Sequence, residues 1–322
     1  MKHLMLNGNC VSMFEKRLHN IDIFPICDSL EIFHAGFIVS CDLSFNMISD
    51  SGANSIARML RINSSLLHLC VKSNAITEKG AADIADALKT NTSLTSLDLS
   101  SNPIEDRGGM KIAEMLPTNC TLKFLNLSSC DLKTASVTML SISLNTHPSL
   151  QELRIAKPLI NSRKEETITH IAQIFKENNK LRSIDLSFFH LSDSGVTVLF
   201  KGLFMCRSLT HLRLGSNCIT TSCEIIARYL ENPNCALKHL DVSANRVDTE
   251  GGYQIAKSLI KNKTLQYLDL SNNNIEDESL SFLANVLESK NEVLKKLLIA
   301  DNKFDQTVSM PFSFITYIDE VN

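Results

Sequence analysis

Two histidines, His211 and His239, stand 28 residues apart in similar apolar segments, with serine and with aspartate or arginine close by. Two such imidazoles could share a metal ion, and histidine beside serine and aspartate has the residue types of a hydrolytic triad. However, no third ligand occurs at a fitting spacing, and the chain has no strained nucleophile turn, P-loop or GxGxxG. We therefore predict no catalytic residue, no metal and no cofactor, and interpret both histidines as exposed surface residues.

The ten cysteines are scattered singly, with no CxxC pair or other metal-ligand spacing. We interpret them as free thiols of an intracellular protein, because disulfides belong to oxidising compartments. The same location is expected from the start of the chain, which becomes polar too early for a signal peptide, and from the lack of a membrane-length apolar run. The cysteines are Cys10, Cys27, Cys41, Cys70, Cys120, Cys130, Cys206, Cys218, Cys223 and Cys235.

Composition restricts the class of partner. The chain has 322 residues, of which 44% are hydrophobic, and a formal net charge of -3. Such a chain can bury an ample core, which argues against disorder. A phosphate-binding surface normally shows an excess of lysine and arginine, so we expect neither direct nucleic acid binding nor membrane binding.

One template, L-x-x-L-x-L-x-x-N, recurs along nearly the whole chain. The clearest copies begin at Leu66, Leu94, Leu209, Leu237 and Leu265, and weaker ones at Ile38, Leu122, Leu150, Leu181 and Leu294. The asparagine position falls at residues 46, 74, 102, 130, 158, 189, 217, 245, 273 and 302, a period of 28 with one step of 31 and one of 29. This regularity predicts an array of structural repeats.

The second half of each repeat has a helical pattern, Gly-x-x-x-Ile-Ala-x-x-Leu in the best copies, which begin at Gly52, Gly80, Gly108 and Gly251. Side chains that can accept hydrogen bonds stand just before these helices, where they are expected to satisfy the free N–H groups of the first helical turn. They are Asp50, Glu78, Asp106, Asp193, Thr249 and Asp277. Asparagines in the turns back to the strands are expected to take the left-handed conformation of a helix end: Asn63, Asn91, Asn119, Asn145 and Asn262.

The fold class that follows is α/β, a leucine-rich-repeat solenoid. Strands pack about 4.8 Å apart and helices about 8–10 Å apart, so stacked repeats should curve into a horseshoe with parallel strands on the concave face and helices on the convex face. We assign residues 38–302 to the array, 1–37 to a degenerate N-terminal repeat and irregular segment that lacks the usual helix, and 303–322 to a C-terminal tail or cap. Solenoids normally need such capping units.

The recurring asparagine should form a ladder in which its amide donates to and accepts from the loop backbone of adjacent repeats. The ladder residue is replaced at Cys130, Pro158 and Phe189, three repeats in a row. Either the array has drifted locally without consequence, or residues 130–190 form a specialised contact region. The sequence leaves both interpretations open.

The repeat resembles the ribonuclease-inhibitor-like subgroup of leucine-rich repeats, over about residues 38–302. The irregular middle, with Cys130-Asp-Leu132, Lys157-Pro-Leu-Ile160 and residues 165–178, is similar to one member of that family. That resemblance implies a non-enzymatic protein of germ and pluripotent cells. It also implies a place in the cytoplasm and nucleus, including the nucleolus, with nucleolar protein partners in ribosome biogenesis.

Residues between the template leucines should face the concave surface, where we expect a protein partner to bind. A mostly acidic row, interrupted by two arginines, could attract a basic patch, while aromatic residues could anchor the partner. The alternative is that the aspartates are solvated residues of the preferred strand sequence and that the aromatic residues serve packing. The predicted partner-binding residues are Phe124, Arg154, Asp185, Phe189, Arg213, Asp241, Tyr267 and Asp269.

The favoured function is a protein-protein interaction scaffold. A GTPase-activating protein of the Ran-activator type is the alternative, because that activator uses the same kind of horseshoe, although it carries a long acidic tail and this chain ends in a short apolar segment. A third hypothesis, the sensor part of a larger innate-immune receptor, would require an ATP-binding domain ahead of the repeats. No P-loop precedes them in this sequence.

Overall fold

The computed structural model describes residues 2–9, 16–32, 37–160 and 164–303. Cys10 and most of the predicted C-terminal tail, residues 304–322, lie outside these ranges. The chain divides into two compact units, residues 1–181 and residues 182–322, called unit 1 and unit 2. Each unit is described by itself.

Unit 1 alternates short parallel strands with helices. Each strand pairs in register with the next, for example Leu97 with Leu125. The strands are β1 (His3–Met5), β2 (Ser40–Asp42), β3 (His68–Cys70), β4 (Ser96–Asp98), β5 (Phe124–Asn126) and β6 (Glu152–Arg154). The helices are α1 (Asn20–Ile32), α2 (Asp50–Ile62), α3 (Glu78–Leu88), α4 (Glu105–Met115), α5 (Thr134–Leu144) and α6 (Lys164–Glu177).

Unit 2 has the same construction, and its strands also pair in parallel with their sequence neighbours. The strands are β7 (Ser183–Asp185), β8 (His211–Arg213), β9 (His239–Asp241), β10 (Tyr267–Asp269) and β11 (Lys296–Leu298). The helices are α7 (Asp193–Leu203), α8 (Cys223–Leu230), α9 (Thr249–Leu259) and α10 (Asp277–Ser289). The predicted α/β solenoid class is confirmed.

The core of each unit lies between its strands and its helices. In the repeat that begins at Leu94, the template residues Leu94, Leu97 and Leu99 are fully buried, as are Ile112 and Ala113 from the apolar face of α4. Neither layer of one repeat can cover its apolar face alone, so stacking on neighbours supplies the hydrophobic stabilisation. This packing leaves the intervening strand residues on the outer surface of the strand layer.

The first repeat is more complete than the sequence indicates. Residues 20–32 form α1, although the sequence predicts no usual helix there. The helical pattern is hidden because its glycine is missing and Pro25 lies inside the helix. Asn20 performs the role that aspartate performs elsewhere, since its Oδ1 accepts from the backbone N–H groups of Ser49 and Gly52 at 2.9 and 3.1 Å. The proposed domain boundaries at residues 37/38 and 302/303 stay predictions.

The predicted asparagine ladder is present. Asn74 Nδ2 donates to the carbonyl oxygens of Leu43, in the preceding repeat, and Val71 at 2.9 and 3.0 Å, and its Oδ1 accepts from the Ile48 N–H at 3.0 Å. Where the residue changes, Cys130 Sγ lies 3.2 Å from the Leu99 carbonyl oxygen, which preserves a weaker contact of the same kind. Equivalent asparagine contacts recur at Asn46, Asn102, Asn217, Asn245, Asn273 and Asn302.

The turn asparagines have a different role from the one predicted. Asn63 has an extended backbone, with φ -70° and ψ 125°, and most of the left-handed residues lie instead just before the ladder position, for example Ser73 with φ 53°. Asn91 Nδ2 donates to the Leu60 carbonyl oxygen at 2.7 Å, and Oδ1 accepts from the Leu94 N–H at 2.8 Å. The turns therefore need the asparagine side chain and not an unusual backbone.

Candidate functional site

The eight predicted partner-binding residues fall in both units. Phe124 and Arg154 lie on β5 and β6 of unit 1. The remaining six belong to unit 2, where Asp185, Arg213, Asp241, Tyr267 and Asp269 lie on β7 to β10 and Phe189 follows β7.

The unit 1 pair is in direct contact. The guanidinium carbon of Arg154 lies 5.1 Å from the centre of the Phe124 ring, within cation–π range. Arg154 Nε also donates to Glu152 Oε1 at 2.7 Å, and both side chains are partly exposed. This local cluster fixes the arginine in place and balances its charge.

Unit 2 contains a stack of rings on its strand surface, which we call the aromatic strip: His211, His239 and Tyr267. They occupy one register position on β8, β9 and β10. Ring centres are 4.2 Å apart between the histidines and 5.0 Å apart between His239 and Tyr267, with interplanar angles of 25° and 12°. Lys296 Nζ lies 5.6 Å from the Tyr267 ring centre. The sequence places the three residues in one row, but the stacking follows from strand spacing.

The surroundings of two rings of the strip, His239 and Tyr267, favour their uncharged forms. Burial lowers the pKa of His239, and the neighbouring positive charge of Arg213 adds to that effect. Burial raises the pKa of Tyr267 to about 12, with a further contribution from Asp269. The strip therefore presents aromatic surface with polar atoms at its edges, the kind of surface that is enriched in protein interfaces.

Beside the strip runs the predicted acidic row: Asp185, Arg213, Asp241 and Asp269, again at one register. Each aspartate Oδ1 accepts from the backbone N–H two residues later, at 3.0 Å for Asp185 and 2.9 Å for Asp241 and Asp269. The carboxylates therefore hold the turn that ends each strand, in addition to any role at the surface.

Asp241 is the carboxylate with the clearest electrostatic perturbation. Burial raises its pKa, hydrogen bonds from Ser243 act in the opposite direction, and the negative charges of Asp269 and Asp185 raise it further. Arg213 lies in register with Asp241 on β8. Within the described part of the chain, Arg213 forms no ion pair, and its buried Nη1 has no hydrogen-bond partner.

Phe189 is a correction to the predicted set. Its side chain is only 3% exposed and lies in the interior at the position of the ladder asparagine, so it serves packing and is not available on the strand surface. Its neighbour Phe188 is 48% exposed and has a left-handed backbone, with φ 57°. Asp269, at 9% exposure, offers a partner little more than one carboxylate edge.

The nine cysteines in the described ranges are free, and burial raises the pKa of Cys41 and of Cys223 to about 12, which makes these thiols poor nucleophiles. The described residues include no cluster of three or more histidine, cysteine, aspartate or glutamate side chains suited to a metal ion. None of the described helices is long and apolar enough to cross a membrane.

Comparison with known families agrees with this geometry. The family described as "Leucine Rich repeat" matches residues 90–113, 118–141, 206–222, 234–256 and 261–284. The chain is a leucine-rich-repeat protein. The matched leucine-rich repeats include those that carry His239, Asp241, Tyr267 and Asp269. Leucine-rich-repeat proteins are typically interaction scaffolds.

Two curated leucine-rich-repeat relatives come from mouse. Leucine-rich repeat-containing protein 34 is 31% identical over 184 residues, which are 57% of this chain and 44% of that protein, and it is the member that the irregular middle of the sequence resembles. NACHT, LRR and PYD domains-containing protein 14 is 27% identical over 169 residues, 52% of this chain and 17% of that protein. The chain therefore matches less than half the length of either relative.

A solved leucine-rich-repeat neighbour is the crystal structure of a TLR13–ssRNA13 complex. It has a TM-score of 0.52 and 18% sequence identity, and the match covers 93% of this chain and 42% of that one. At this identity the similarity shows a shared fold only.

Proposed function

We propose that the chain is a non-enzymatic scaffold that binds a protein partner through the strand surface of unit 2. The observation that carries the proposal is the aromatic strip, three rings in contact on adjacent strands, beside a row of partly buried charges. Aromatic and arginine side chains are the residues that most often dominate binding energy. The other solvent-facing strand positions of unit 2 carry mostly small or charged residues.

The chemistry of this surface favours binding over catalysis. The aspartates use one oxygen each to hold a turn, and the rings of His239 and Tyr267 are packed face to face. These are rigid groups whose geometry is set before a partner arrives, which lowers the entropy cost of association. A preorganised surface of this kind can bind a partner without any catalytic side chain.

The similarity to leucine-rich repeat-containing protein 34 supports a finer proposal. We propose nucleolar proteins as partners, with a role in ribosome biogenesis and in the maintenance of stem or germ cells. The corresponding location is the cytoplasm and nucleus, including the nucleolus. This part of the proposal depends on the resemblance and on no contact in the structure.

Affinity purification from cells tests the binding surface, with Tyr267→Ala as the variant and Tyr253→Ala as its matched control. Both tyrosines belong to unit 2 and both are partly exposed, but Tyr253 lies on helix α9 beside Phe282. We expect Tyr267→Ala to lose the partner and Tyr253→Ala to retain it. Equal recovery by wild type and Tyr267→Ala would place binding elsewhere.

A further inference from the structure

The residues that precede the strands of unit 2 form a hydrogen-bonded row. The backbone N–H of Lys238 donates to the carbonyl oxygen of Thr210 at 2.8 Å, and the Lys238 carbonyl oxygen accepts from the Gln266 N–H at 2.8 Å. The same kind of bond, also at 2.8 Å, joins Thr210 to Arg182 and Lys295 to Gln266. The backbone therefore fixes the order of these side chains along one edge of the strand layer, at about 4.8 Å per strand.

This edge carries a cation in every repeat of unit 2. In the two repeats whose row residue is neutral, the turn three residues earlier contains arginine or lysine instead. We call the resulting set the basic rim: Arg182, Arg207, Lys238, Lys263, Lys295 and Lys296. All of these residues are exposed except Lys296, which is partly exposed.

The charges of the basic rim are not neutralised by neighbouring side chains. Within the described part of the chain, none of the six residues forms an ion pair. Two glutamates lie at the same edge, but Glu231 is paired with Lys261 at 2.9 Å, which leaves Glu292 as the local opposite charge. The rim therefore has a net positive charge that faces solvent.

The same positions in unit 1 show that the fold does not require these cations. The row of backbone hydrogen bonds is repeated there, and its residues before β2 to β6 are Val39, Leu67, Thr95, Lys123 and Gln151. The turns three residues before the last four of these contain Ser64, Thr92, Cys120 and Pro148. One cation in this row, against at least one in every repeat of unit 2, indicates a role for the rim other than stabilising the repeat.

The carboxylates of unit 2 lie toward the opposite edge of the strand layer and are already in use. Asp241 Oδ1 and Asp269 Oδ1 each accept from the backbone N–H of a turn at 2.9 Å, and Asp269 is only 9% exposed. A partner can therefore reach the charges of the rim more readily than those of the acidic row.

We infer that the basic rim binds an acidic segment of the protein partner. Its carboxylates contact Lys238 and Lys295 in the row and Arg207 and Lys263 beside it, and an adjoining part of the partner contacts the aromatic strip. The inference rests on the proposed function, because the rim borders the strip, and it names the chemistry of the partner. Complementary charge of this kind mainly increases the association rate and the specificity.

A nucleic acid is the less suitable anionic partner. Proteins that bind single strands combine basic residues with aromatic faces on which bases stack. Here His239 lies between the rings of His211 and Tyr267, and Lys296 lies over the Tyr267 ring, so little ring face is left for a base. A phosphate chain that crossed the strands would also meet Asp241, three residues after Lys238. A polypeptide can confine its negative charge to the part that lies on the rim.

Fluorescence anisotropy with the full chain and a labelled short peptide of alternating glutamate and serine tests the inference. A labelled peptide of alternating arginine and serine and a labelled single-stranded RNA oligonucleotide are the comparison probes. We expect the glutamate peptide to bind most tightly, and more weakly at high salt. Tighter binding of the arginine peptide or of the RNA would overturn the inference.

Lys238→Glu should weaken binding of the glutamate peptide about fivefold, because an exposed attractive charge becomes repulsive. The matched control is Lys123→Glu in unit 1, at the same row position and equally exposed. Both variants change the net charge by the same amount, and thermal unfolding shows whether each is folded. Lys123→Glu should bind the peptide like wild type. Equal weakening by the two variants would show a response to net charge alone and would exclude a site at the rim.

Recovery of the partner from cells separates this inference from the proposed function. The double variant Lys238→Glu/Lys295→Glu should recover less partner than wild type. If Tyr267→Ala loses the partner while the double variant recovers it like wild type, the proposed function stands and the inference is wrong. If the double variant loses the glutamate peptide while Tyr267→Ala recovers the partner fully, the rim binds acidic segments and the proposed binding surface is wrong.

Discussion

Asp193 Oδ1 accepts the backbone N–H of Ser222 at 2.9 Å, so a carboxylate at the start of helix α7 caps the start of helix α8 in the next repeat. Thr220 N–H donates to the same oxygen at 2.9 Å. Asp50 and Asp106 make equivalent contacts to the helices that follow theirs. The sequence predicts a cap at these positions but assigns it to the wrong helix, and the observed arrangement joins neighbouring repeats.

The first prediction is that Asp193→Ala lowers the free energy of unfolding by about 2 kcal/mol, because several N–H groups lose their acceptor. Urea unfolding of the full chain measures the change. Glu224→Ala, at an acidic residue in the first turn of α8, is the control and should change stability little. A loss no larger than that of the control would show that the contact between repeats contributes nothing.

Stability should also depend on pH through the same carboxylates. Burial opposes ionisation of Asp50 and Asp193, but hydrogen bonds from the next repeat outweigh it and lower both pKa values. Because the folded state binds fewer protons, this stabilisation is present above the unfolded pKa of about 3.9 and is lost as pH falls through the folded pKa. The urea midpoint of unfolding of the wild type should therefore decrease as the pH is lowered through this range. The decrease should be less steep for Asp193→Ala, which lacks one of the two carboxylates.

His147 should contribute a second pH dependence. It occupies the place of a turn asparagine, and Nδ1 accepts from Leu150 N–H at 3.0 Å, while burial lowers its pKa. Stability is therefore complete above the unfolded pKa of about 6.5 and decreases as pH falls below it. His147→Asn copies Asn119 and should remove this dependence between pH 7 and the folded pKa. An unchanged pH profile in that variant would assign the dependence to other groups.

Gly80→Ala should be destabilising, by about 1–3 kcal/mol, because the helix start packs on the previous repeat. A Cβ at Gly80 would lie 2.7 Å from Asp50 Oδ1 and 2.8 Å from Ala53 Cβ. Gly195→Ala is the matched control, since its Cβ would meet nothing closer than Leu191 Cδ2 at 3.4 Å, and alanine favours helix. Equal thermal unfolding midpoints for the two variants would contradict this prediction.

The GTPase-activating alternative makes a clear kinetic prediction. If the chain is a scaffold, it leaves single-turnover GTP hydrolysis by a panel of small GTPases unchanged. If the purified chain accelerates GTP hydrolysis, and mutation of the strand surface of unit 2 abolishes the acceleration, the scaffold proposal is wrong and the GTPase-activating alternative is supported.

Several features of the site could be predicted from residue spacing. The period of 28 places His211, His239 and Tyr267 at one template position, and parallel pairing then brings them side by side. The burial of Phe189 could have been inferred too, because it occupies the ladder position and not a strand surface position. The hydrogen bond from Ser222 N–H to Asp193 could not be predicted in the same way. A carboxylate at the start of one helix can reach the N–H groups of its own helix or of the next one, and residue spacing does not distinguish the two.

By itself, the sequence determined the repeat, its register, the alternation of buried and exposed strand positions and the residues that form the acidic row. These depend on local periodicity, which a single chain displays directly. The tertiary structure decided which hydrogen bonds cross between repeats, that the rings of the aromatic strip stack, and that Arg213 Nη1 is buried without a partner among the described residues. Those properties depend on distances of a few ångströms between side chains that are 28 or more residues apart, and packing alone sets such distances.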